Sequence, residues 1–271
     1  MTRIAARFAA LRREGRGALI PFLEAWDPDA ATSTALLRGL PAAGADLIEI
    51  GIPFTDPMAD GPIIQAAGKR ALKAGVSVRH VLALVQGFRA GDDATPVILM
   101  GYLNPLLAYG AEAFCRDAAR AGVDGLIMVD LPMEEADMLM PQAGAHGIDM
   151  IRLVAPTTDD RRLPLVLAGS SGFVYYVSIT GITGTRSTTA EHLAEAIPRI
   201  RKGSDLPIAV GFGVRSPVQA AEAVRFADAA VVGSAFCSTI EANLNRPDLV
   251  SKVLEQVREL AAGVRDAQVR A

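Results

Sequence analysis

Glu49 lies inside the apolar run Leu47-Ile-Glu-Ile-Gly51, and Asp60 follows in the loop that this run feeds. In an extended chain Leu47, Glu49 and Gly51 share one face, and Ile48 and Ile50 share the other. Both faces read as buried, as in a strand of a parallel sheet covered by helices. A carboxylate there is costly unless it is neutral, paired or reactive. The run stops at Gly51 and gives way to a proline-rich loop with two further acids, Asp56 and Asp60. A buried acid at a strand's carboxyl end, beside a loop acid, predicts a pair with separated pKa values, suited to general acid/base work. The competing reading pairs Glu49 with an inward Lys or Arg, which no other predicted strand clearly offers. Asp60 alone, before Gly-Pro, reads equally as a turn residue or helix cap. Asp56-Pro57 is most simply a turn, and Asp130 a cap for the helix after Pro132.

A second constellation is made of glycines. Gly211-Phe-Gly213 and Gly233-Ser234 close the last two predicted strands, and Gly184 sits in the loop after the strand before them. Backbone amides freed of side chains, with a short helix's N-terminus, can cradle a phosphate at these positions; plain tight turns are the alternative. Tyr175, Phe22 and Tyr102 lie near strand ends, where they serve either as core or as the lining of a flat apolar pocket. The four lysines, Lys69, Lys73, Lys202 and Lys252, fall in predicted helices or at helix ends, which disfavours a Schiff-base aldolase. His80, His146 and His192 stand singly and off the strands, which disfavours a zinc-dependent one, and no metal is expected. What remains is acid/base chemistry on a phosphorylated substrate.

These residues need a frame. Predicted strands cover Ala18–Leu23, the Glu49 run, Pro96–Tyr102, Gly125–Asp130, Asp149–Val154, Phe173–Ser178, Pro207–Gly213 and Ala229–Ala235. Helices are predicted from Asp27-Pro28, with Asp27 as cap, to near Gly44; from Gly61 to Phe88, broken at Gly75; and over Ala111–Ala121. Others follow Pro132, start near Asp160, cover Ala190–Arg201, follow Ser216-Pro217 and run from Pro247 to Val264. Eight strands alternating with helices predict an α/β chain folded as a (β/α)8 TIM barrel, one domain over residues 1–271. The first five strands are each followed by a proline-containing loop, which places elaboration at the carboxyl ends, where barrel sites sit. A doubly wound sheet would want a G-x-G-x-x-G turn, and none exists. Ahead of the barrel, Ile4, Phe8 and Leu11 form one stripe of an extra N-terminal helix.

Composition narrows the setting. Of 271 residues 51% are hydrophobic and the formal net charge is −3, which speaks against a nucleic-acid partner. Cys115 and Cys237 are far apart and read as free thiols in a reducing cytosol. The first residues lack a signal peptide's apolar core, and Glu14 weakens a mitochondrial presequence. No stretch is long enough to span a bilayer. A cytoplasmic protein is expected.

Leu47-Ile-Glu-Ile-Gly-Ile-Pro-Phe-Thr-Asp-Pro-Met-Ala-Asp-Gly-Pro62 closely resembles the signature of the tryptophan synthase alpha chain. The resemblance extends through Met100–Pro105, Asp130-Leu-Pro132, Gly172–Ser178, Gly181–Gly184, Gly211-Phe-Gly213 and Gly233-Ser234, roughly residues 17 to 265. It implies retro-aldol cleavage of indole-3-glycerol phosphate to indole and glyceraldehyde 3-phosphate. In that family's pattern Glu49 is the acid/base and Asp60 stabilises the charged indole nitrogen. Phe22 and Tyr175 match the indole pocket, and Gly184, Gly213, Gly233 and Ser234 the phosphate site. Thr183 matches a lid residue that meets the Asp60 loop. The resemblance also implies an alpha2beta2 complex with a beta chain that carries pyridoxal phosphate, this chain holding no cofactor. Pro53 to Asp60 and the region of Asn104 match the contact surface. One departure is Leu23-Glu-Ala-Trp-Asp-Pro28, where Glu24 and Trp26 replace small residues near the pocket mouth or partner face; another is Ile179, where some members carry a basic residue.

Two other readings remain at this point: a self-sufficient lyase on the same fold, and a silent subunit that only activates a partner. Gly, Thr and Ser concentrate in Gly181–Thr189, which predicts a mobile lid. Proteolysis at Arg186 should therefore slow when a substrate phosphate analogue is bound, and equal cleavage in both states counts against the lid.

Overall fold

The computed structural model describes residues 1–177, 190–211 and 213–267. After helix α1 (Arg3–Glu14), strands and helices alternate: β1 (Ala18–Glu24), α2 (Ala30–Ala43), β2 (Ile48–Gly51), α3 (Pro62–Lys73), α4 (Val78–Arg89) and β3 (Val97–Gly101). Then come α5 (Leu103–Tyr109), α6 (Ala111–Ala121), β4 (Gly125–Met128), a 3-10 turn (Met133–Met138) and α7 (Met140–Ala145). β5 (Asp149–Met150), β6 (Arg152–Val154), α8 (Leu163–Ala168), β7 (Val174–Val177) and α9 (Ala190–Arg201) follow. The chain continues through β8 (Ile208–Gly211), α10 (Pro217–Val224), β9 (Ala229–Val232), α11 (Ser234–Ala242) and α12 (Leu249–Asp266).

The strands are parallel, in the order β5-β4-β3-β2-β1-β9-β8-β7-β6. Its two edges are halves of one extended segment, the predicted fifth strand, interrupted at Ile151. The Ile151 amide still donates to the Leu126 carbonyl at 2.9 Å, so the sheet curls until it meets itself. This is the expected (β/α)8 barrel with its fifth position split in two.

Strand alternation divides the apolar side chains. Ile20, Leu47, Ile98, Ile127, Ile151, Phe173, Tyr175 and Val231 fill the interior. Leu19, Ile48, Ile50, Leu99, Leu126, Tyr176 and Val210 face the helices. The α1 stripe of Ile4, Phe8 and Leu11 joins the interior set, with Phe8 5.9 Å from Phe173, so α1 closes the barrel's amino-terminal end.

Three aspartates bind that end together, each just ahead of a strand. Asp46 accepts from the Leu19 amide at 2.9 Å and pairs with Arg16 and Arg7. Asp124 accepts from the Val97 amide at 2.8 Å and pairs with Arg89 at 2.6 Å and Arg3 at 3.0 Å. Asp228 accepts from the Ile208 amide at 2.8 Å and pairs with Arg201. Each carboxylate satisfies an amide at the start of a neighbouring strand and neutralises an arginine from a helix or its end.

Two predicted caps are corrected. Asp29, not Asp27, caps α2, accepting from the Thr32 amide at 2.8 Å. Asp27 is buried and held bidentately by Arg70 at 2.7 and 2.9 Å, so its oxygens are committed elsewhere. Asp130 does not cap the turn after Pro132; its Oδ1 accepts from the Leu103 amide at 2.8 Å, at the start of α5. The loop's path toward β3 decides this, and sequence distance conceals it. Replacing Asp124 with Ala strands Arg89, whose side chain is 9% exposed, without its carboxylate. Urea unfolding should then show a loss of about 3–5 kcal/mol, and an unchanged midpoint contradicts the clamp.

Candidate active site

The barrel's carboxyl-terminal mouth holds a cavity lined by Phe22, Glu49, Asp60, Tyr175, Gly213, Gly233 and Ser234, with Ile64, Met100, Val214 and Val231 between them. Seven of the predicted site residues are thus brought together. Thr183, Gly184 and the Gly181–Thr189 stretch, with Ile179, lie outside the described residues.

Glu49 sits mid-β2 with its side chain inward, in register with Phe22 of β1. It is fully buried, and neither carboxylate oxygen has a hydrogen-bond partner. Burial pushes its pKa up from 4.5 to about 8, so at neutral pH it is largely a neutral acid holding a transferable proton. The predicted alternative of a Lys or Arg pair is not what these residues form. Tyr175 rises from β7 beside it, its own pKa driven up by burial and then by Glu49. The Tyr175 hydroxyl fits because position 211 is glycine: a Cβ there would lie 1.9 Å from it.

Asp60 reaches the cavity from the β2–α3 loop. Burial raises its pKa to about 6, and a hydrogen bond from Tyr102 works the other way. The Tyr102 hydroxyl also accepts from the Ala59 amide at 3.0 Å and its ring packs 5.5 Å from Phe54, so it fixes the loop rather than lining the cavity. The turn expected at Asp56-Pro57 is present, with the Asp60 amide donating to the Pro57 carbonyl. The two acids therefore titrate apart, near 8 and near 6, as the sequence predicts.

Across the opening, Gly233 begins α11 and Ser234 is its first residue. Sequence reading extends β9 through Ala235, but the chain turns helical at Ser234, so a helix N-terminus, whose first amides have no intrahelical partner, borders the cavity. Gly213 joins them at φ +89°, a backbone that favours glycine. The short apolar stretch Ser-Ala-Phe-Cys reads equally as strand or helix, which is why α11 was not legible.

Glu24 is the last residue of β1, in register with Gly51. It is 6% exposed and its Oε2 would meet a Cβ on Gly51 at 2.3 Å, so glycine makes its slot. Its pKa is raised well above 4.5 by burial, then by Asp60 and Asp27. Trp26 stacks on His80 at 4.5 Å, and His80 also contacts Ser77 at 3.1 Å, a satisfied surface histidine. The four lysines are exposed on helices or just past one, away from the cavity.

Raised acid pKa values link to stability. Between about pH 4.5 and pH 8 native Glu49 keeps a proton that the unfolded chain releases, so its contribution to stability is lost as pH rises through that window. Asp60 adds a loss that is complete near pH 6. Glu49→Gln should gain thermal stability relative to the parent chain from pH 5 to pH 8, and a constant gap contradicts the assignment.

With this geometry in view, comparisons place the chain. The family model of the tryptophan synthase alpha chain matches residues 8–265. The Granulibacter bethesdensis tryptophan synthase alpha chain is 65% identical over 275 residues, covering 100% of this chain and 99% of its own length. The crystal structure of tryptophan synthase subunit alpha from Legionella pneumophila superposes with a TM-score of 0.88 at 37% identity, over 97% of this chain and 98% of that one. A chain of Mycobacterium tuberculosis tryptophan synthase gives 0.89 at 39% identity, over 97% and 98%. The protein described here belongs to the tryptophan synthase alpha chain family, whose half-reaction is the cleavage of indole-3-glycerol phosphate.

Proposed function

We propose that Glu49 and Asp60 divide the proton work of that cleavage. The observation that carries the reading is Glu49 itself, fully buried, unpartnered and sharing one cavity with Asp60 and the amino end of α11. The neutral Glu49 donates its proton to the indole ring carbon that bears the glycerol phosphate chain. Positive charge then develops at the ring nitrogen, where Asp60, ionised above its pKa near 6, stabilises it. Glu49, now a carboxylate, takes the proton of the adjacent side-chain hydroxyl. The carbon–carbon bond breaks, its electrons restore the indole ring, and the hydroxyl carbon becomes the aldehyde of glyceraldehyde 3-phosphate. Glu49 ends the cycle protonated, so no net proton is consumed. Phe22, Tyr175, Met100 and Val231 supply apolar surface for the ring, and the Gly213, Gly233 and Ser234 amides, with Gly184, receive the phosphate.

As an alpha subunit the chain partners a beta chain. The assembly is read as alpha2beta2, in the cytosol, with the loop Pro53 to Asp60 and the surface near Asn104 against the partner. Pyridoxal phosphate belongs to the beta chain, which consumes the indole. Indole release, assayed with and without a beta chain, tests the whole reading. Glu49→Gln should lower turnover by about 10²–10⁴-fold, and Asp60→Asn should also be strongly impaired. Unchanged turnover in Glu49→Gln removes its role. Full activity without a beta chain favours the self-sufficient lyase, and partner activation without indole release favours the silent subunit.

A further inference from the structure

Arg152 is 5% exposed and is the only cation among the buried described residues. It stands on the outward face of β6, with Val154, beneath the turn at Met133–Met138 and α7. Its Nη1 donates to the Leu131 carbonyl at 2.8 Å. Its Nη2 faces the sulfurs of Met140 at 2.9 Å and Met133 at 3.4 Å, which are weak acceptors. Its Nε has no partner. No described carboxylate forms an ion pair with it, and burial alone pulls its pKa down. The contrast within the chain is plain: Arg89 has Asp124, Arg70 has Asp27 and Arg16 has Asp46. A guanidinium removed from water is normally kept only with a negative partner.

A partner has room. Arg152 lines a cleft of about 320 Å³ between the chain after β4 and the chain after β6, with Asp130, Thr158 and Arg162 on its walls. Arg162 is already paired bidentately with Glu134 at 2.7 and 2.9 Å. The Thr158 oxygen accepts from the Ala155 amide, which leaves its hydroxyl proton to donate. The Asp130 carboxylate lining the same cleft disfavours a dianion such as phosphate. A single planar guanidinium charge at the cleft matches a singly charged carboxylate. Met128, Leu131 and Val166 would flank its apolar end.

We propose that this cleft is a carboxylate-binding site, separate from the catalytic cavity and gripped by Arg152. The carboxylate is either free in solution or carried on a side chain of the partner. The cleft lies at the carboxyl end of β4 and β6, the same barrel end as Asp60. The second source rests on the alpha-subunit reading above; the first does not.

Thermal unfolding of the chain alone, in potassium acetate against potassium chloride at equal ionic strength, tests the free source. Acetate should raise the midpoint saturably in the parent chain and not in Arg152→Met. In chloride Arg152→Met should be at least as stable as the parent, because an unpaired buried charge has been removed. An arginine that merely holds the Leu131 carbonyl would instead lose stability equally in both salts. Arg152→Lys, which keeps the charge without the planar edge, serves if the methionine variant fails to fold and should also lose most of the acetate response. Affinity for the beta chain tests the other source: a loss of about tenfold in Arg152→Met, with no acetate response in the parent, assigns the carboxylate to the partner. Equal acetate responses in parent and variants overturn the proposal, as does no acetate response together with unchanged partner affinity.

Discussion

An acid enclosed by hydrocarbon and left without a hydrogen bond is the constraint that the remainder of the structure serves. Glu49 stays protonated at neutral pH only while its surroundings are dry. The interior beneath it is filled by Leu47, Ile98, Ile127 and Phe173, with no aqueous channel needed to solvate it. The same placement explains Gly211, since a larger residue would displace the Tyr175 ring that walls the acid. An ion pair at Glu49 would have been easier to bury, but it would have fixed the proton inventory that acid/base work requires.

The three aspartates of the barrel's amino-terminal end are all paired, whereas the carboxyl-terminal end mixes one buried pair, Asp27 with Arg70, with groups left unpaired. At the amino-terminal end Asp46, Asp124 and Asp228 are each paired with arginine and with a strand amide. At the carboxyl-terminal end Glu49 and Arg152 are buried without countercharge, and Glu24 is held in a glycine-made slot. Closely paired charge contributes rigidity, whereas an unpaired ionisable group stays free to exchange a proton or meet a ligand. The fold can carry the second kind because the first is so well satisfied.

Much of this was legible in the chain. Alternation set Leu47, Glu49 and Gly51 on one face, and the interior and outer layers divide as that pattern implies. Glycine at strand ends and proline at helix starts marked most boundaries. The failures share a cause, which is that the deciding partner is distant in sequence. Asp27 directly precedes a proline and Asp130 comes two residues before one, where local rules favour caps, yet Arg70 and the Leu103 amide claim them. The short helices α5 and α11 carry apolar runs too brief for periodicity to separate strand from helix. The three floor aspartates look like ordinary strand-edge residues until the neighbouring strand's amide is placed. Arg152 occupies a strand position that reads simply as a polar alternation.

The helix at the start of the chain has a role out of proportion to its distance from the mouth. Phe8 meets Phe173 at 5.9 Å, and Phe173 is two residues below Tyr175 on the same inward face. A single column of side chains therefore runs from the stopper to the acid. Arg3 and Arg7 bolt that stopper to Asp124 and Asp46. Water admitted at residue 8 would travel along the column as polarity, and the acid would feel it as a fall in its affinity for the proton. The dielectric around the buried acid is thus set from both ends of the barrel, and at the far end by the dozen residues of α1.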